Sequence, residues 1–189
     1  MMHRYRIVPF AVLAILALQG CAGPVTLPPL QRAMPTWSIM LQTAARGPMP
    51  LQVLGRPFQA DGDIPAIAAD AMSDQVFGQR LRFVPAPTDK AEGARVVLAF
   101  NPTGTATGRH LCLGQSVGGD PGERVDALAA FCNGTDLMAE VTGWVSGVSG
   151  PEDARFRALL AQLARDLFGN DDEQRRQRDE EVRVGLPRR

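Results

Sequence analysis

The stretch VDALAAFCNGTDLMAEVTGWV, Val125 to Val145, decides the fold. It contains two β-rich runs, Val125 to Cys132 and Leu137 to Val145, joined through Cys132-Asn133-Gly134-Thr135. An Asn-Gly pair between apolar runs is a strong hairpin signal, because a type I′ turn needs positive φ at both central residues. The runs therefore predict antiparallel neighbours. In the second run Leu137, Ala139, Val141 and Val145 share one face, while Met138, Glu140, Thr142 and Trp144 share the other. Such alternation suits a sheet with one face on a core and the other more solvated.

Upstream, Ala94 to Phe100 is a continuous apolar run that fits a central strand buried on both faces, ended by Asn101-Pro102. Arg80 to Val84 alternates charged and apolar residues and suggests another strand. Leu51 to Phe58 reads as a first strand, with Pro57 marking its end. Between these, Asp63 is placed to cap a helix whose first turn holds Ile64 and Pro65. Ile64, Ile67, Ala68, Met72, Val76 and Phe77 continue it at helical spacing, and Gly78 is its expected stop. Residues 103–124, rich in Gly, Thr and Ser, read as a long loop with a short strand around Leu111 to Leu113.

Downstream, Ser149 and Glu152 have the spacing of a capping box, with Pro151 in the first turn. Phe156, Leu159, Leu160, Leu163 and Leu167 form one apolar stripe, closed by Gly169. The expected fold is thus α+β: a mainly antiparallel sheet of four to five strands with two helices packed on one face. The domain would span residues 51–169. Residues 170–189 carry dense charge of both signs and read as a solvated tail, disordered or an extended helix.

Outward in the other direction the chain changes character. His3, Arg4 and Arg6 precede an apolar run, Ile7 to Leu18, of twelve residues. As a helix this is ~18 Å long, short of the ~30 Å bilayer core, and it fits the apolar region of a secretory signal. Leu18-Gln19-Gly20-Cys21 follows, and it resembles the lipobox of bacterial lipoproteins, although Gln19 departs from the usual small or β-branched residue. That resemblance implies removal of residues 1–20, a thioether-linked diacylglycerol on Cys21 and acylation of the new amine, as by palmitate. Ala22 follows the cysteine, with no aspartate there to suggest inner-membrane retention. The resemblance to Gram-negative lipoproteins then implies the periplasmic face of the cell outer membrane. Residues 21–50, with Pro24, Pro28, Pro29, Pro35, Pro48 and Pro50, read as a tether. Trp37, Ile39, Met40 and Leu41 interrupt it and could dock on the domain or form a short strand.

Composition adds limits. Arg4 and Arg6 are the two cations lost with residues 1–20, leaving eighteen against twenty acidic residues and a net charge of about −2. This makes no global case for nucleic-acid binding. Cys112 and Cys132 remain after Cys21, and an oxidising periplasm favours their pairing as a disulfide, the alternative being two buried thiols.

The candidates for catalytic chemistry are His110, the one histidine of the mature chain, and Cys112. On a strand the two would point to one side, inviting a thiolate–imidazole pair or a metal ligand set. Zinc needs three or four protein ligands, and no convincing cluster exists. No Ser/His/Asp set can be assembled from one histidine. Gly104-Thr105-Ala106-Thr107-Gly108-Arg109 lacks the Gly-Lys-Ser/Thr ending of a phosphate loop. The expectation is therefore no catalytic residue, no metal and no cofactor.

The order of elements over residues 51–168 resembles small envelope domains of the curli-secretion lipoprotein, penicillin-binding-protein-activator lipoprotein and TolB N-terminal type. The shared features are Arg56-Pro57-Phe58 before a helix, the Arg80 to Val84 strand, Gly93-Ala94-Arg95-Val96-Val97 opening the next strand, then a hairpin and final helix. Anchor, tether and compact domain, with no catalytic set, lead to the expectation of a non-enzymatic interaction or assembly module with an envelope protein partner. The alternative is a lipid-anchored enzyme or small-ligand binder that uses the loop 103–124 around His110 and Cys112.

Overall fold

A computed structural model describes residues 23–27, 32–59, 62–89 and 92–169. Cys21, the signal segment 1–20 and the tail 170–189 lie outside the described residues. The elements run β1 (Val25–Leu27), α1 (Thr36–Arg46), β2 (Met49–Leu54), α2 (Ile64–Met72), β3 (Phe83–Pro85) and β4 (Ala94–Phe100). They continue with α3 (Gly108–Cys112), β5 (Arg124–Asn133), β6 (Asp136–Ser146) and α4 (Ala154–Phe168).

The six strands form one sheet in the order β1-β6-β5-β4-β2-β3. The fold is α+β, as the sequence implies, but the sheet is mixed. β1, β6, β5 and β4 pair antiparallel, whereas β4, β2 and β3 pair parallel. The parallel half has a simple cause. β2 reaches β3 through α2, and a strand–helix–strand crossover returns the chain in its original direction. The sheet also has more strands than expected, because Val25–Leu27 adds an edge strand on β6.

Helices cover both faces rather than one. The first face packs Leu51, Val96, Leu98, Phe100, Ala129, Phe131 and Val141 against α1, α2 and α4. The α4 stripe expected from spacing is the centre of this core. Phe156, Leu159, Leu160, Leu163 and Leu167 are all fully buried, each contributing roughly 1.5–3 kcal/mol of transfer free energy. Phe156 meets Phe58 edge-on at 4.9 Å, and Phe168 meets Phe131 at 5.0 Å. The second face holds a smaller cluster of Val97, Ala99, Leu111, Cys112, Val117, Leu128, Ala130 and Cys132 under α3 and its flanking loops.

Several local expectations shift. Residues 36–46 form α1 instead of continuing a tether, and Trp37 and Met40 are buried in the main core. β2 begins at Met49 and stops at Gly55, whose φ of 72° turns the chain two residues before Pro57. Asp63 does cap α2, its Oδ1 accepting from Ala66 N at 3.1 Å. That helix ends at Met72, six residues before Gly78, and leaves Phe77 83% exposed. The strand expected at Arg80 to Val84 is Phe83–Pro85.

The cap of α4 is Asp153, not Ser149, although the Ser149 hydroxyl and amide both donate to the Asp153 carboxylate. In the hairpin, Asn133 pairs with Asp136 and only Gly134 (φ 60°) among the turn residues has positive φ. Glycine at the first of two loop positions is the type II′ pattern, not type I′. A register shift between Phe131 and Cys132 then exchanges the faces of two residues. Leu137 joins the second-face cluster and Met138 the main core, the reverse of strict alternation.

Candidate functional site

The second face of the sheet carries the groups that the sequence singles out. Thr103 to Glu123 does not form a plain loop. Thr107 starts α3, and the Thr107 amide donates to His110 Nδ1 at 3.3 Å. His110 thus closes a helix N-terminus, and the geometry assigns it a capping role. Gly108 N donates to the Glu140 carboxylate at 2.6 Å, which ties the same turn down to β6. A side chain at Gly108 would collide with Glu140 and Leu137, so only glycine lets α3 lie this close.

Cys112 at the end of α3 and Cys132 near the end of β5 form a disulfide, with Cα atoms 5.4 Å apart. Both residues are fully buried. The pairing expected from the sequence is therefore present, and the Cys112 sulfur is not a thiolate in this form. The strand expected around Leu111 to Leu113 is replaced by helix, so His110 and Cys112 do not share the strand face on which a dyad reading rested. Among the described residues no group of three or more His, Cys, Asp or Glu side chains could hold a metal ion.

Beneath α3 lies a buried polar chain that spacing rules pass over. Arg95 is 2% exposed on β4, pointing to the second face. Its Nε donates to Gln52 Oε1 at 3.0 Å, Nη1 to Gly134 O at 2.8 Å and Nη2 to Cys112 O at 3.0 Å. Gln52 Nε2 in turn donates to Pro87 O at 2.5 Å. One guanidinium therefore joins β2, β4, the hairpin turn and the end of α3. Burial pushes its pKa down, yet arginine keeps its charge in proteins. Its planar fork fits diverging carbonyls in a way an ammonium does not. The signal in the sequence is a charge within an otherwise apolar strand, Ala94 to Phe100.

Past α3, the chain returns along the end of the sheet by backbone contact. Gly119 N donates to Phe100 O at 3.0 Å, and Arg56 N donates to Gly119 O at 3.1 Å. A Cβ at Gly118 would stand 2.4 Å from Gly55 N, so this approach requires glycine. Beside it opens a polar cleft of about 680 Å³ lined by Asn101, Asp120, Glu123, Arg124, Asp126 and Ser146. Its charges are largely internal pairs. Arg56 meets Asp120 at 3.1 Å, and Arg124 meets Asp126 at 2.9 Å. The hydrogen bond and charge of Asp126 raise the Arg124 pKa.

α3 leaves part of the second face open. Across β1 and β6, Val25 stands opposite Trp144 and Leu27 opposite Thr142. Val25 is 41% and Leu27 55% exposed. The Arg124 guanidinium lies 5.5 Å from the centre of the Trp144 ring, within cation–π range. Other large apolar side chains at the surface are Met34, Phe77, Val84 and Leu113.

No protein-family model matches the chain. No curated protein matches it either. Among solved structures, a PelC dodecamer from Paraburkholderia phytofirmans is similar at 12% identity and a TM-score of 0.44, over 78% of this chain and 98% of that one. A variant of the same dodecamer has 13% identity and a TM-score of 0.41, over 77% and 97%. At this level of likeness neither assigns a fold family or an activity to the chain.

Proposed function

We propose that the chain is a lipid-anchored cell-envelope protein, held at Cys21 on the periplasmic face of the outer membrane, whose α+β domain serves a non-enzymatic interaction or assembly role. The observation that carries this reading is Leu18-Gln19-Gly20-Cys21, placed directly after a basic start and a twelve-residue apolar run. The buried Cys112–Cys132 disulfide supports it, because such bonds persist in oxidising compartments and are rare in the cytosol. Among the described residues no helix is long and apolar enough to cross a membrane. In this reading acyl chains on Cys21 hold the protein, and two or more chains hold stably.

The domain's part in this reading is recognition. His110 is engaged as a cap and Cys112 as a disulfide partner, so the residues that first suggest catalysis are occupied structurally. Exposed Phe77 and Met34 offer apolar contact points for an envelope protein. The test is fractionation of cells making the full chain or its Cys21→Ala variant, with in-cell crosslinking of the former. The wild-type protein should sediment with outer membranes and crosslink to a discrete partner, and Cys21→Ala should accumulate unprocessed in the inner membrane. Identical fractionation of the two proteins would refute the anchor, and wild-type protein without any crosslinked partner would refute the interaction role.

A further inference from the structure

We infer that the open part of the sheet's second face, around Val25, Leu27 and Trp144, rests on the headgroup surface of the membrane that holds Cys21. The inference builds on the lipid-anchor reading and gives the domain an orientation. Val25 is only four residue steps along the chain from Cys21. At no more than about 3.6 Å per residue they span at most ~14 Å. Residues 21–50 would act as a long spacer only if none of them were fixed to the domain, but β1 is a hydrogen-bonded edge of the sheet. The anchor therefore draws the β1 edge to the interface.

Side-chain direction then selects the face. Thr26 points to the first face, where its hydroxyl donates to Asp166 of α4. Strand alternation turns Val25 and Leu27 to the opposite face, and both are exposed there. Trp144 lies directly across from Val25, with Arg124 beside its ring. Tryptophan favours the headgroup level, where an apolar ring with one polar N–H has both kinds of neighbour. A long arginine side chain can reach from apolar surface to polar headgroups.

Charge argues for apolar contact rather than attraction to anionic lipid. Arg124 is paired with Asp126 at 2.9 Å, and Asp120 and Glu123 line the neighbouring cleft. Tethering converts the patch's contact into an intramolecular event at high effective concentration.

The two tryptophans supply the readout. Trp37 is 7% exposed in the core on the other face, so it should be shielded from lipid. The mature protein would be extracted from membranes and reconstituted in phosphatidylethanolamine–phosphatidylglycerol vesicles whose acyl chains carry bromine, and its intact mass read on the same sample. Bromine should quench most of the Trp144 emission, taken as the difference between wild type and Trp144→Phe, and leave the Trp37 emission of Trp144→Phe nearly unchanged. Val25→Asp with Leu27→Asp should restore the Trp144 emission while the far-ultraviolet spectrum stays the same. Acylated protein whose Trp144 is not quenched would overturn this orientation alone, whether water, a second copy or another protein covers the patch. A mass without acyl chains would overturn both the orientation and the lipid anchor.

Discussion

At the residue scale, Arg95 holds the second face together. A single guanidinium bonds Gln52 and the carbonyls of Gly134 and Cys112. Arg95→Met fills the volume but leaves those acceptors unpaired beneath α3. We expect a loss of about 2–4 kcal/mol in urea-monitored stability. Arg95→Lys should recover only part of it, since one ammonium cannot serve acceptors lying in three directions. Equal stabilities for wild type and Arg95→Met would remove this role. Asp153 gives a prediction in pH. Its side-chain bond to Arg155, and then the Arg155 and Ser149 amides, hold the carboxyl well below the usual carboxylate range. A folded-state pKa lowered in this way contributes stability above the unfolded value of about 4, and the contribution fades as pH falls toward the folded value. Asp153→Asn should therefore lower the melting midpoint at pH 7, and the gap from wild type should narrow below about pH 4. A gap that stayed constant down to pH 2 would count against the pairing.

At the element scale, packing around β1 and α3 departs most from a generic α+β sheet. Gly143 in β6 lets β1 and α4 approach together. A Cβ there would stand 2.8 Å from Val25 O, 2.9 Å from Thr26 Cγ2 and 3.0 Å from Leu159 Cδ1. Gly143→Val should cost about 1–3 kcal/mol and speed hydrogen exchange at the amides of Val25–Leu27, whereas exchange unchanged in β1 would show that the close approach is dispensable. The disulfide acts on α3. Its cysteines are twenty residues apart, and loop-closure entropy gives it about 3 kcal/mol. Cys112→Ser with Cys132→Ser should lose stability on that order and expose α3 to proteolysis before the rest of the domain.

These elements also show what the sequence could convey. β4 was readable as a continuous apolar run, Ala94 to Phe100, and the α4 stripe by one helical period held from Phe156 to Leu167. The β5–β6 hairpin was readable too, but not its inner detail. One register shift near Cys132 exchanged the faces expected for Leu137 and Met138. α3 was missed because five residues with glycine at the start carry no period, and its stability comes from the disulfide, Glu140 and Arg95 instead. α1 was masked by its prolines, which lie before and after the helix and not within it. The cysteine pairing was legible from the compartment that the signal-like start implies, while the buried fork of Arg95 depends on partners from three separate segments.

At the scale of the whole molecule, the lipid anchor proposed at Cys21 lies next in sequence to a two-faced sheet. Three helices and the main core fill one face. The other face is half closed by the stapled α3 and half open at Val25 and Leu27, beside the half-buried Trp144. Since Val25 already belongs to the sheet, the proposed anchor at Cys21 would leave little slack between membrane and domain. That geometry makes processing at Cys21 the premise of the proposed function. The most direct measurement is the intact mass of the protein extracted from membranes, taken before and after thiol alkylation under non-reducing conditions. The expected mass is that of Cys21–Arg189 plus a diacylglyceryl group and an amide-linked acyl chain, less the two hydrogens of the Cys112–Cys132 bond, with no alkylatable thiol. A chain that retains residues 1–20, or one that begins at Cys21 with a free sulfhydryl, would contradict it.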